Sequence, residues 1–153
     1  MARLFESFVF NFFRLERPDL NIRKERIYWK ASSDSDPELR FLPTMETDIS
    51  VRDKPPTQTL IIDTKVYKET FQRFYDTEKL HSSNLYQRLT SLNNLQYRQG
   101  PDSTARGLLL YPVVEKSVRL SYELTGREIR ICTVNLAADW REIRSELLSL
   151  LSF

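Results

Sequence analysis

Glycine is scarce in this chain: Gly100, Gly107 and Gly126 are the only three among 153 residues. A Walker A loop and a G-x-G-x-x-G turn each need several glycines at fixed spacing, so neither can be written anywhere in the sequence. If the function needs a nucleotide-driven motor, that motor is another polypeptide. Histidine is scarcer still. His81 alone cannot build a histidine-rich zinc site, and no serine or cysteine has a plausible partner for a nucleophilic triad, which leaves His81 a structural reading. The single cysteine, Cys132, excludes an internal disulfide and falls in an alternating apolar stretch, as a buried strand thiol would; the expected setting is reducing and cytoplasmic. Long apolar runs are missing too. Phe8 to Phe13 and Leu147 to Phe153 are far below the roughly 20 residues that span a bilayer, and no secretory pattern opens the chain, so no membrane association is expected.

The length fits one domain, 1–153, with a sizeable core, and 41% hydrophobic with 29% charged residues is the profile of a folded globular chain. The charge balance, 23 basic against 21 acidic residues, neither requires nor excludes a polyanionic partner. Phe5, Phe8, Val9 and Phe12 recur at helical spacing and stop before Pro18, which predicts a first helix. It opens almost at Met1 with no room for a preceding cap or turn, as expected if a larger ancestral or natural protein has lost its front half. Ile22 to Lys30 reads as a strand ending near Trp29, and Ala31 to Pro37 as an exposed loop. Leu85, Leu89 and Leu92 mark the buried stripe of a second helix, which Ser82 or Ser83 could cap. Val118 to Leu124 alternates, turns at Thr125-Gly126 and returns through Ile129, Ile131 and Thr133 as a hairpin. Asp139 with Glu142 resembles a capping box, opening a helix with Trp140, Ile143, Leu147 and Leu150 on its core face.

Two segments between these helices carry the chemistry. Met45 to Arg52 alternates strictly, with Glu46, Asp48, Ser50 and Arg52 on the polar face. Thr59 to Tyr67 is rich in β-formers and sets Ile61, Asp63 and Lys65 on one face. Asp53 to Gln58, with Pro55-Pro56, is a turn sequence, so the two strands read as an antiparallel hairpin. Symmetry about the Pro55-Pro56 bond pairs residues whose numbers sum to 111, so Asp48 faces Asp63 and Glu46 faces Lys65. Directly opposed carboxylates repel unless something neutralises them, and a divalent cation with oxygen ligands at about 2.0–2.1 Å would do so. The ordinary readings, a cross-strand Glu46–Lys65 ion pair and a solvated Asp48, remain open on the motif alone. Against them, Leu60-Ile61-Ile62 implies a buried strand in which a carboxylate and a lysine are costly without a purpose.

Six blocks occur in order along the chain: Leu4-Phe5-Glu6-Ser7-Phe8-Val9; Thr47-Asp48-Ile49; Ile61-Ile62-Asp63-Thr64-Lys65 with Tyr67; Lys79-Leu80-His81-Ser82-Ser83-Asn84-Leu85-Tyr86-Gln87; Leu110-Tyr111-Pro112; and Asn135-Leu136 with Asp139-Trp140. Together they resemble the C-terminal PD-(D/E)xK nuclease domain of the McrC family, the cleavage subunit of the McrBC restriction system directed against methylcytosine-containing DNA. The resemblance implies an α/β, restriction-endonuclease-like fold with a mixed central sheet flanked by helices. It also implies Mg²⁺-dependent hydrolysis of DNA phosphodiester bonds, with Mn²⁺ as a possible substitute. Carried over by position, Asp48 and Asp63 match the metal-binding acids and Lys65 the motif lysine. Glu6 falls where an auxiliary acid approaches the metal, and Gln87 where a glutamine on the following helix orients the site or touches DNA. A solvated helix carboxylate and a surface hydrogen bond are the plain alternatives for these two. The likeness departs at Ser91, where related nucleases often carry a tyrosine, and in the region that engages the McrB-like AAA+ GTPase motor, which these residues do not contain. The competing reading is a catalytically silent module of the same fold that binds a motor or DNA; an RNA nuclease is a third.

Overall fold

The computed structural model of the chain describes residues 2–66, 84–113 and 116–152 in full and 71–74, 77–80 and 82–83 by backbone. Tyr67, His81 and the capping side chains of Ser82 and Ser83 therefore lie outside the described residues.

Helix α1 (Ala2–Glu16) forms where the phenylalanine spacing predicts it and buries Phe5, Val9, Phe12 and Phe13. The chain then enters a six-stranded sheet of order β1 (Asn21–Arg23), β4 (Ile49–Arg52), β5 (Thr59–Thr64), β8 (Arg106–Pro112), β10 (Arg127–Val134) and β9 (Arg119–Leu124). Strand β5 is parallel to β8, and β8 to β10, while the outer pairings are antiparallel. Two short ribbons stand apart, β2 (Arg26–Ile27) with β3 (Met45–Glu46) and β6 (Phe71–Phe74) with β7 (Thr77–Leu80). Helix α2 (Ser82–Leu95) is the next described element in the chain.

The sheet has two apolar faces because its central strands are apolar at successive positions. Leu60, Ile61 and Ile62 are all fully buried, Leu60 and Ile62 towards one cluster and Ile61 towards the other. Both faces must be covered, as parallel strands require. On one side lie α1 and α3 (Trp140–Ser149), with Ile49, Val51, Leu108, Leu110, Cys132 and Val134 beneath them. On the other lies α2, whose Leu92 and Leu95 pack on Leu109, Tyr111, Ile129 and Ile131. Each large aliphatic side chain so buried contributes about 1.5–3 kcal/mol before the entropy of ordering is set against it. The result is a three-layer mixed α/β sandwich consistent with a restriction-endonuclease-like fold, as expected.

The second hairpin turns where expected, with Thr125 at φ 52° and Gly126 at φ 77°; two successive positive φ angles give the twist that suits a two-residue connection. Asp139 caps α3 by accepting from the amides of Arg141 and Glu142. Cys132 is buried in β10, as read. Trp140 differs: it is half exposed and packs edge-on against Phe8 and Phe12 at the rim rather than in the core.

Two strand readings are corrected. Ile22 to Lys30 is not one strand but two, β1 and β2, and the second ends before Trp29. Met45 to Arg52 is likewise split into β3 and β4 at Thr47-Asp48. The cause is a reciprocal clasp between the two breaks: the Thr47 amide donates to the Glu25 carbonyl at 2.8 Å, and the Glu25 amide donates to Thr47 Oγ1 at 3.0 Å. Ser50 Oγ donates to the same Thr47 hydroxyl at 2.9 Å. This bonding draws Met45-Glu46 away from β5 and onto β2.

Candidate active site

The β4–β5 hairpin has the register the turn sequence implies, with Ile49 opposite Ile62, Ser50 opposite Ile61 and Arg52 opposite Thr59. Asp53 closes the turn by accepting from the amides of Thr57 at 2.6 Å and Gln58 at 2.9 Å. The Thr57 hydroxyl first, and then these two amides, hold its carboxyl down at about 2. The ladder stops one rung before Asp48 and Asp63. Glu46 consequently does not face Lys65: it pairs with Arg26 at 3.8 Å, across β2–β3.

Where the ladder stops, side chains take over from backbone. The Lys65 amide donates to Leu110 of β8 at 3.0 Å, so the Thr64 amide points to the β4 side. There it donates to Asp48 Oδ2 at 2.8 Å, and the Thr64 hydroxyl donates to the same oxygen at 3.0 Å. Asp48 thus stands at the mouth of the C-terminal end of β5, beside Asp63. Crevices outside the carboxyl ends of parallel strands are the usual location of ligand sites in open α/β sheets.

Asp63 is 2% exposed and held from two sides. Arg88 Nη2 of α2 approaches its Oδ1 at 3.0 Å, and Lys65 Nζ approaches its Oδ2 at 3.1 Å. The lysine is close enough to attract but out of hydrogen-bond alignment, so Oδ2 is a buried carboxylate oxygen that accepts no hydrogen bond. Lys65 Nζ donates instead to Gln87 Oε1 at 3.2 Å, which brings the predicted glutamine into the constellation. Glu6 is ion-paired with Lys24 and lies near enough to Asp48 for its charge to be felt there. Among the described residues no basic side chain pairs with Asp48. Burial first, and then the charge of Asp63, push its carboxyl up to about 6, against the bonds from Thr64 that favour ionisation.

All five sequence-derived site residues, Asp48, Asp63, Lys65, Glu6 and Gln87, therefore converge on one end of β5. Arg88 was missed. It is 1% exposed, its Nε and Nη1 have no hydrogen-bond partner, and its Cγ would lie 3.0 Å from a Cβ added at Gly107. Gly107 is therefore the close-approach residue that lets α2 lay this arginine on β8. A signal was present in the sequence: Arg88 falls in phase with Leu85, Leu92 and Leu95 on the apolar stripe of α2, where a charge needs a buried counterion.

Among the described residues, no group of three or more His, Cys, Asp or Glu side chains is gathered for a metal ion. What fits a divalent cation is narrower: a carboxylate whose ionisation is opposed by its neighbour, and a second, buried carboxylate oxygen with no hydrogen bond.

A family model described as McrBC 5-methylcytosine restriction system component matches residues 1–112. The chain is also 41% identical over 150 residues to the type IV methyl-directed restriction enzyme EcoKMcrBC of Escherichia coli strain K12. That alignment covers 98% of this chain and 42% of the relative, so the chain spans less than half the relative's length.

Proposed function

The chain belongs to the McrC family of McrBC restriction system components, and from that premise we propose that it is a Mg²⁺-dependent endodeoxyribonuclease domain of the PD-(D/E)xK class, cutting DNA within a modification-dependent restriction system. The observation that carries the proposal is the convergence of Asp48, the unbonded Oδ2 of Asp63 and Lys65 at the end of one buried strand.

In this reading Asp48 and Asp63 hold the cation. When bound, Mg²⁺ supplies a Lewis acid that lowers the pKa of an attacking water and offsets phosphate charge. Thr64 fixes Asp48 through Oδ2, leaving its other oxygen free to face a ligand. Arg88 fixes Asp63 through Oδ1 in the same way. Lys65, positioned by Gln87, stabilises negative charge that develops on the scissile phosphate. Glu6 and Lys24 form the wall on the α1 side. Exposed basic side chains give phosphate contacts that carry no sequence information. Choice of methylated sites and the energy for translocation belong to an McrB-like GTPase partner, since this chain contains no phosphate loop.

One observation favours the silent-module reading: Lys65 and Arg88 already neutralise Asp63. The two readings separate on plasmid cleavage by the purified chain with Mg²⁺ or Mn²⁺, with and without chelator, using methylated and unmethylated DNA and a matched RNA. Slow, unselective, metal-dependent nicking of DNA, with no hydrolysis of added GTP, is expected. No cleavage with either metal at high protein concentration supports the silent module, and preferential cutting of RNA reassigns the substrate.

A further inference from the structure

Gln87 has two sides. One meets Lys65; the other lines a cavity of about 230 Å³ between α2 and the β2–β3 region, whose remaining wall includes Trp29, Pro43, Met45, Thr90 and Ser91. Its size is below the roughly 300–1,000 Å³ of pockets that enclose drug-sized ligands, which restricts the occupant to about one planar ring system.

The walls are fixed before any ligand arrives. Trp29 Nε1 donates to the Pro43 carbonyl at 2.7 Å, so the indole's only polar atom is satisfied and its ring remains as an apolar surface. The next residue is tied to α2, with the Lys30 amide donating to Asn94 Oδ1 at 2.7 Å. Ser91 Oγ donates to the Gln87 carbonyl at 3.0 Å, anchoring the turn that carries the glutamine. The Gln87 side-chain oxygen is engaged by Lys65, and its amide NH₂ is the donor end. An aromatic plane, two apolar side chains and an amide edge are the elements with which proteins hold an unstacked base. Glu46, also at this cavity, has Arg26 at 3.8 Å, a basic side chain that offsets part of the repulsion a polyanion would meet there.

We infer that the cavity behind Gln87 binds an unstacked nucleobase of the DNA strand whose phosphate lies at Asp48, Asp63 and Lys65, with Trp29 as the stacking surface. This rests on the nuclease reading of the adjoining site, since that reading places a phosphate one side chain away. Base–aromatic stacking tolerates every base, so the site takes a nucleotide that has left the helix without selecting its identity. The strand is thereby locally opened beside the scissile bond.

Trp29 and Trp140 are the only tryptophans, and Trp140 packs on Phe8 and Phe12 of α1. In a Trp140→Phe chain, Trp29 emission therefore reports on the cavity alone. The probes are a thymidine oligonucleotide, the same oligonucleotide with abasic positions, and a duplex, each titrated without divalent metal so that no cleavage occurs. Saturable quenching by the single strand, lost with abasic positions while salt-dependent binding measured by anisotropy persists, is the expected result. Trp29→Ala should weaken single-strand binding about tenfold, and Trp29→Phe should restore most of it.

Unchanged Trp29 emission on binding, equal affinity of the Trp29→Ala chain, or no binding of any oligonucleotide overturns the inference. Failure of the nuclease reading looks different. Quenching without metal-dependent cleavage leaves the base site standing and removes the enzyme. Cleavage that requires Asp63 in a Trp29→Ala chain of unaltered affinity does the reverse.

Discussion

Strands β4 and β5 carry buried charge at both of their ends, and the two ends treat it in opposite ways. At the start of β5, Arg52 forks onto Asp102 at 2.8 and 3.0 Å and onto Glu25 at 2.7 Å. Asp102 accepts further from Thr59 at 2.8 Å and Arg98 at 3.1 Å. Burial alone would raise the Asp102 carboxyl, but these donors hold it below the ordinary value. At the other end of the same strand Asp48 is raised to about 6, and Asp63 keeps an oxygen with no hydrogen bond. At the first end every carboxylate oxygen that Arg52 reaches is bonded, and only the Arg52 Nη1 donor is left without a partner. At the second an acceptor oxygen is left over beside a neighbouring carboxylate, which is the kind of position a cation fills. The contrast separates a structural cluster from a candidate site that shares its strands, its burial and its residue types.

The sharpest way to break the comparison is to neutralise one acid at each end. Asp63→Asn keeps a hydrogen-bonding oxygen for Arg88 though not its counter-charge, so it should fold with some loss of stability. It should reduce Mg²⁺-dependent cleavage per folded molecule by at least about 10³-fold, a loss comparable to removing a transition-state charge stabiliser. Lys65→Ala should fall in the same direction. Wild-type-like nicking by either purified variant removes the site assignment. Asp63→Ala is a poorer probe, because it strands Arg88 as an unpaired buried cation.

At the opposite end the effect moves from rate to stability. Asp102→Ala leaves Arg52 without its forked partner and should cost about 3 kcal/mol or more in denaturant melts. Cleavage per folded molecule should stay near wild type. A stable Asp102→Ala chain would show that the network is dispensable and the contrast misdrawn.

The two ends should also respond to pH with opposite sign. Folded Asp48 holds its proton up to about pH 6, whereas the unfolded chain releases it near 3.8. The folded state thus binds more protons between these values, so this group's contribution makes stability fall as pH rises from about 4 to about 6, by about 2–3 kcal/mol. Asp102, lowered on folding, contributes stability above the ordinary carboxylate range that is lost as pH falls through its lowered value. Melts of wild type and Asp48→Asn across this range should show the decline flattened in the variant. Saturating Mg²⁺ at pH 7.5 should raise the wild-type midpoint by about 5 °C or more and the variant's by less. Identical profiles for the two chains would count against the coupling of Asp48 to Asp63.

The smallest effect tests how Arg88 is seated. In Gly107→Ala the new Cβ would press on Arg88 Cγ at 3.0 Å and Cδ at 3.2 Å. The flexible arginine can yield, so a cost of about 1–2 kcal/mol is expected, together with a measurable loss of cleavage as the guanidinium leaves Asp63. Unaltered cleavage in a destabilised Gly107→Ala chain would make Arg88 a packing residue only.

Local periodicity carried much of this protein. The helical phase of Phe5, Val9 and Phe12, the Asp139 cap, the Thr125-Gly126 turn and the register of the β4–β5 hairpin are each set by residues within a few positions of one another, and all were legible. The same hairpin symmetry put Asp48 near Asp63 and Lys65, although the ladder itself ends one rung earlier and Thr64 completes the placement, while the α/β fold was what the resemblance implied. Only the tertiary structure decided the rest. The Glu25–Thr47 clasp, which ends the ladder before Asp48 and sends Glu46 to Arg26, joins residues 22 apart in sequence. Arg52 meets Asp102 from 50 positions away. Arg88 reaches Asp63 only because Gly107, on a third element, leaves it room. Such contacts have no periodic signature in the chain, since each depends on where two distant elements pack and not on the local alternation of apolar and polar residues.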